Sequence, residues 1–205
     1  MVRWGIRACV ACALFLAMSL PGAAQAAPGP RWLSAGSQGV VCQELVTNGG
    51  FEEGATGWQE SSPGLIDTTY PYSGTYSAEL GGALGSDDQI TQVITLPVSS
   101  PSLTLTLSFW WSVLADVTDT VHDKLTVSVA PAGQAPIGLD TLDNTFPNSI
   151  WMTDTLNLLP YAGQTVAVSF EGSDDDVDAA TFFVDDVSIS ACSSPIEVYL
   201  PLTIR

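Results

Sequence analysis

The segment from Ser102 to Val113 alternates between apolar and polar positions over almost its whole length. The apolar set is Leu103, Leu105, Leu107, Phe109, Trp111 and Val113. The set that alternates with it is Thr104, Thr106, Ser108 and Trp110. A period of two is typical of a β-strand with one buried face. The pattern therefore predicts a long strand whose apolar side, including Trp111, joins a core.

The same alternation recurs in segments 124–130, 164–172 and 181–190, and further strands are predicted at 40–46, 75–80, 89–96 and 150–158. In the last alternating segment the predicted inward residues are Phe183, Asp185, Val187 and Ile189. No segment has sustained helical periodicity. About nine or ten short antiparallel strands separated by turns predict an all-β jelly-roll β-sandwich over residues 40–192.

The beginning of the chain has the pattern of an export signal. Arg3 and Arg7 precede a short apolar run, and Ala24–Gln25–Ala26 is a small-x-small cleavage site, so residues 1–26 are predicted to be a signal peptide. An uncleaved anchor is the alternative. Residues 27–39 are predicted to be a linker, and 193–205 a short tail that acts as an edge strand, a sorting tail or a binding strand. We expect a protein without a membrane span, secreted or held at the cell surface.

The charge and the cysteine content limit the kinds of binding partner and the cellular compartment that fit this chain. The chain has 22 acidic and 5 basic residues, which give a net charge of −17. This charge disfavours binding to nucleic acid and to anionic lipid. It favours either the binding of cations or high solubility outside the cell. Cys42 and Cys192 are the cysteines that remain after the predicted cleavage. In an exported chain they are expected to form one disulfide, with the first and last strands as neighbours. Free thiols or an intermolecular bond are the alternatives.

Three segments resemble the galactose-binding-like jelly-roll domains. They are "LVTNGGFEEGATGW", "YSGTYSAEL" and "SFEGSDDDVDAATFFVDDVSIS". This class includes carbohydrate-binding modules, MAM domains and accessory β-domains of secreted metalloproteases. The resemblance covers roughly residues 42–192, and it implies the same fold with a sugar-binding, adhesive or spacer role.

The resemblance also implies a structural calcium ion. Its ligands would be the carboxylates of Glu52 and Asp185, with backbone carbonyls around Ser73 and Gly74. Chemistry agrees, because an inward carboxylate needs a partner, this chain has few cations, and calcium takes oxygen ligands. A protonated, water-bonded or edge-facing Asp185 is the alternative. Asp174–Asp178 are expected to form a solvated loop, with a weak second calcium site as the alternative.

Catalytic patterns are missing from the sequence. His122 is the one histidine, no Gly-x-Ser-x-Gly motif accompanies it, and the paired-glutamate strand motif of sandwich glucanases is absent. We therefore expect a protein that is not an enzyme.

The predicted ligand face consists of outward aromatic rings and hydroxyl groups. Trp110 and Phe182 are the expected rings, with Thr104, Thr106 and Ser108 around Trp110, and Tyr70, Tyr72 and Tyr76 near the Ser-Gly turn; Trp58 is expected in the core. The prediction is a noncatalytic carbohydrate-binding module with a glycan as partner. The alternatives are a buried Trp110 and an extracellular structural or adhesion domain that binds a cell-surface protein.

Overall fold

The computed structural model describes residues 39–175 and 177–194. The elements in these ranges are β1 Val41–Glu44, β2 Gln59–Glu60, β3 Ile66–Asp67, β4 Ser77–Gly81, β5 Asp87–Thr95, β6 Thr104–Ala115, β7 Lys124–Pro131, β8 Ile137–Asp143, β9 Met152–Asn157, a 3₁₀ turn Leu159–Tyr161, β10 Thr165–Ser173 and β11 Ala180–Ser193. No helix in this part of the chain is long and apolar enough to cross a membrane.

The strands form two antiparallel sheets. The six-stranded sheet has the order β3-β4-β11-β6-β9, with β1 also paired to β11. The five-stranded sheet has the order β2-β5-β10-β7-β8. The predicted antiparallel jelly-roll β-sandwich is confirmed. The predicted signal peptide 1–26, the linker up to residue 38 and the tail from residue 195 lie outside the described residues.

The apolar faces of both sheets pack into one core. All six apolar positions predicted for the 102–113 strand are buried, and so is Trp58. Phe170 of β10 contacts Phe109 of β6 with ring centroids 5.0 Å apart. The sequence reading missed β8, because Gly138 and Asp140 interrupt its alternation and much of this strand is exposed at the sheet edge.

The long strand β11 contains a β-bulge that the sequence reading did not predict. Its pairing with β6 shifts between Asp185 and Ser188, and Asp186 has a φ of 46°. A bulge adds one residue to one strand and changes which side chains face inward. Phe183 and Asp185 therefore share the outer face with Trp110, and the prediction that they share a face with Val187 and Ile189 is wrong.

The predicted disulfide joins the first and last strands. Cys42 of β1 lies opposite Cys192 of β11 in the pairing register, and the two sulfur atoms are bonded across a sequence separation of 150 residues. The four residues of β1 are all exposed and pair with β11 alone. Burial of apolar side chains therefore contributes little to the attachment of β1. The disulfide and the pairing with β11 hold this strand to the sheet.

Replacing both cysteines by serine should lower stability. The bond closes a long loop, and its removal is expected to reduce the free energy of unfolding by about 2–5 kcal/mol. The measurement is chemical denaturation of the wild-type protein and the Cys42→Ser/Cys192→Ser double variant. An unchanged denaturation midpoint would contradict this expectation.

Candidate functional site

A turn of the chain at residues 72–76 rests on the bulge of β11. Asp185 is fully buried, and its Oδ2 accepts hydrogen bonds from the backbone N–H groups of Tyr72 at 2.9 Å and Ser73 at 3.0 Å. Its Oδ1 accepts one from the N–H of Asp186 at 2.7 Å. Burial raises the pKa of Asp185 to about 6, although the N–H groups of Ser73, Asp186 and Tyr72 favour the ionised form.

Glu52 binds the same turn from the opposite end. Its Oε1 accepts hydrogen bonds from the N–H groups of Thr75 at 2.7 Å and Tyr76 at 3.0 Å, and these contacts lower its pKa. Gly74 has a φ of 63°, and a Cβ atom there would overlap the Glu52 carboxylate. Successive N–H groups after such a residue form a concavity that binds an anion.

The residues predicted to bind calcium therefore lie close together, but their contacts differ from those of a calcium site. The turn presents N–H groups to Glu52 and Asp185, where a calcium site would need carbonyl oxygens at Ser73 and Gly74. No group of three or more His, Cys, Asp or Glu side chains is placed to hold a metal ion within the described ranges. Backbone N–H groups are not calcium ligands, so these contacts do not fit a calcium site. Calcium binding by this chain stays a prediction.

The opening loop docks onto the bulge through glycine. The carbonyl of Gly49 accepts the N–H of Val187 at 2.9 Å, and a Cβ atom at Gly49 would overlap the carbonyl of Val187. Asn48 holds the loop closed: its Nδ2 donates to the carbonyl of Gly54 at 2.8 Å, and its Oδ1 accepts the N–H of Glu53 at 3.0 Å. The sequence reading did not identify Asn48, although a polar residue before two glycines is a typical turn signal.

An aromatic cluster covers the outer face of the six-stranded sheet beside this turn. Tyr72 stacks on Trp110 with ring centroids 3.9 Å apart, and Tyr70 stacks on Trp151 at 5.6 Å. Phe183 lies beneath, with its centroid 5.1 Å from that of Tyr70. These five residues form the aromatic cluster. Tyr72 is its most exposed ring, at 40%.

The two aromatic residues predicted to bind ligand have different positions. Trp110 lies on the outer face as predicted, half-buried against Tyr72. Phe182 is 1% exposed and belongs to the core, so its assignment to the ligand face is wrong. The reason is the bulge, because Phe182 precedes it and faces inward, while Phe183 faces the aromatic cluster.

The predicted hydroxyl residues form a polar platform that continues from the aromatic cluster. Ser108 pairs with Ser188 on one side and Thr155 on the other, and Thr106 pairs with Ser190 and Asn157. Thr104 extends the same face. The platform consists of Thr104, Thr106, Ser108, Thr155, Asn157, Ser188 and Ser190. Its edge contains a groove of about 340 Å³, lined by Thr104, Thr106, Thr155 and Asn157 and by three leucines.

A second groove lies at the open edge of the sandwich, where β8 and β9 end the two sheets. It measures about 480 Å³, and its lining includes Trp111, Phe146, Asp140 and Asp154. Asp140 and Asp154 occupy the inward phase of these strands, opposite Val127 and Phe109. Burial raises the pKa of Asp140, and its side-chain hydrogen bond with Asp154 raises it further.

His122 forms a hydrogen bond with a residue of a neighbouring loop. Its Nδ1 lies 3.0 Å from Oδ2 of Asp175, and this hydrogen bond raises the pKa of His122. In the same loop, Asp174 accepts the N–H of Gly85 at 3.0 Å. A second calcium site at Asp174–Asp178 stays a prediction, and Asp176 lies outside the described residues.

Comparisons with known proteins bear on the fold alone. No protein-family model and no curated protein matches this sequence. TmCBM61, solved in complex with β-1,4-galactotriose, is 14% identical with a TM-score of 0.53, and the match covers 72% of this chain and 97% of that one. A cyclase from Fischerella sp. TAU is 12% identical with a TM-score of 0.50 and coverages of 76% and 100%.

A third solved structure of this kind is the K3 cleaved adhesin domain of Lys-gingipain from Porphyromonas gingivalis w83. It is 18% identical with a TM-score of 0.50, and the match covers 72% of this chain and 98% of that one. The resemblance to galactose-binding-like jelly-roll domains is thus confirmed as a resemblance in fold. Because this fold occurs in proteins of different activities, function has to be argued from the site.

Replacing Asp140 by asparagine should stabilise the protein at neutral pH. The raised pKa means that protonated Asp140 favours the folded state at low pH and that this contribution is lost as pH rises through the folded-state pKa. An asparagine amide donates to Asp154 at every pH. We expect Asp140→Asn to have a higher Tm than wild type at pH 7 and the difference to shrink below about pH 4.

The exposed residue Asp87 provides the matched control, since Asp87→Asn removes the same charge without altering a carboxyl pair. Thermal unfolding of the three proteins across this pH range is the measurement. A Tm gain for Asp140→Asn that is independent of pH, or equal in Asp87→Asn, would contradict the explanation.

Proposed function

We propose that this chain is a secreted, noncatalytic carbohydrate-binding module that binds glycan on the outer face of its six-stranded sheet. The observation that carries the proposal is the continuity between the aromatic cluster and the polar platform. Trp110 and Ser108 are two positions apart on the same face of β6, so ring and hydroxyl groups are neighbours. Disulfide formation and the predicted signal peptide support an extracellular location.

The binding mechanism follows from the chemistry of the two surfaces. Aromatic faces stack against the C–H faces of pyranose rings, while hydroxyl and amide side chains exchange hydrogen bonds with sugar hydroxyl groups. Tyr72 is supported from behind by Trp110, which leaves Tyr72 as the ring most available to a ligand. Thr104, Thr155 and Asn157 are exposed at the other end of the same face.

The contacts of the acidic residues support a binding role without catalysis. Glycosidases place two carboxyl groups on opposite sides of the scissile bond, about 5 Å apart or more. Glu52 and Asp185 are occupied by backbone N–H groups.

A second candidate function is an extracellular adhesion domain that binds protein. The observation that favours it is the packing of the aromatic rings on one another, because Trp110 is half-buried against Tyr72 rather than freely exposed. Exposed aromatic residues supported in this way are also typical of protein interfaces.

The proposal predicts binding in a glycan and polysaccharide array screen of residues 27–205. For a glycan that binds, Tyr72→Ala and Trp110→Ala should each weaken affinity by about tenfold or more, which corresponds to about 1.4 kcal/mol. Thr106→Val should cause a smaller loss, because one hydrogen bond is removed. Titration calorimetry with that glycan measures each value.

The matched control is Thr95→Val, which removes an exposed hydroxyl from the outer face of the five-stranded sheet. It should bind like wild type. A blank array would favour the adhesion domain instead. Binding that survives both aromatic substitutions would place the site elsewhere on the molecule.

A further inference from the structure

The turn at residues 72–76 carries the exposed ring of the proposed binding face. Tyr72 lies at its beginning, and its backbone N–H donates to Oδ2 of Asp185 at 2.9 Å while its ring stacks on Trp110. The end of the turn, at Thr75 and Tyr76, donates to Oε1 of Glu52. Two carboxylates from distant parts of the chain therefore hold both ends of a five-residue turn.

The turn is built to receive anions. The turn donates four backbone N–H groups to these two carboxylates, and N–H groups carry partial positive charge. The positive φ of Gly74 makes room for the Glu52 carboxylate at a point where a Cβ atom would overlap it. An arrangement of N–H groups that attracts a carboxylate repels a cation in the same place.

We infer that Glu52 and Asp185 hold this turn by direct hydrogen bonds, in place of the calcium ion that the resemblance predicts, and that they thereby position Tyr72 on Trp110. Both are positioning residues that act through the turn. The role of Tyr72 in ligand binding rests on the proposed function, whereas the anchoring of the turn does not.

Glutamine at position 52 separates the two explanations. Both N–H groups donate to one oxygen of Glu52, Oε1, and a glutamine keeps a carbonyl oxygen there. The direct hydrogen bonds therefore survive Glu52→Gln, although the charge is lost. A calcium site would instead lose one of its charged ligands in this variant. Glu52→Ala removes the anchor under either explanation.

The experiment measures Tm and the near-ultraviolet circular dichroism of the stacked Tyr72–Trp110 pair, in excess calcium and in EDTA. Tyr72→Ala supplies the spectrum without the stack, and Glu53→Ala is the matched control because Glu53 is the exposed neighbouring glutamate. We expect wild type, Glu53→Ala and Glu52→Gln to have similar Tm values and spectra in both buffers. Glu52→Ala should lose several degrees of Tm and shift its spectrum toward that of Tyr72→Ala.

Two results would overturn the inference. A Tm that rises with calcium in the wild type but not in Glu52→Gln would establish a metal site. A Glu52→Ala protein with the wild-type spectrum would show that the anchor does not position Tyr72. Because neither readout uses a glycan, a blank glycan array leaves this test intact.

Discussion

The bulge at Asp186 is the constraint on which the rest of the site depends. It moves Asp185 and Phe183 to the outer face of the six-stranded sheet, while Val187 and Ile189 remain in the core. Asp185 then binds the turn that carries Tyr72. The opening loop closes over the other side of the bulge through the contact between Gly49 and Val187.

A chain with few cations pairs acids in both buried and exposed positions with backbone amides. Asp185 accepts N–H groups of three residues. Glu44 does the same at the edge of the polar platform, where it accepts N–H groups of Leu45, Val46 and Ile189. Such contacts favour the ionised carboxylate without any cationic side chain, so an excess of acidic residues is compatible with a well-packed sandwich.

Sequence periodicity was sufficient for the fold because most strands alternate cleanly. Along Leu103 to Val113 and Val166 to Phe170 every apolar position of the alternating set is buried, and the predicted disulfide followed from two cysteines in an exported chain. Periodicity failed at β11, where an added residue reverses the phase without changing the apolar composition. Phe182 and Phe183 are both aromatic, so their sequence alone did not determine which one faces the core.

The candidate site was predictable only in part for a related reason. Thr104, Thr106, Ser108 and Trp110 lie on one strand, so alternation placed them together. Thr155, Ser188 and Tyr72 join them from other strands and a turn, and pairing register between distant segments is not encoded in local periodicity.

Amide hydrogen exchange tests the central claim most directly. In EDTA, the backbone N–H groups of Tyr72, Ser73, Thr75 and Tyr76 should exchange as slowly as strand amides although they belong to a turn, because each donates to a carboxylate of Glu52 or Asp185. Exchange of these amides at the rate of unprotected turn residues, with protection gained only on adding calcium, would contradict the account.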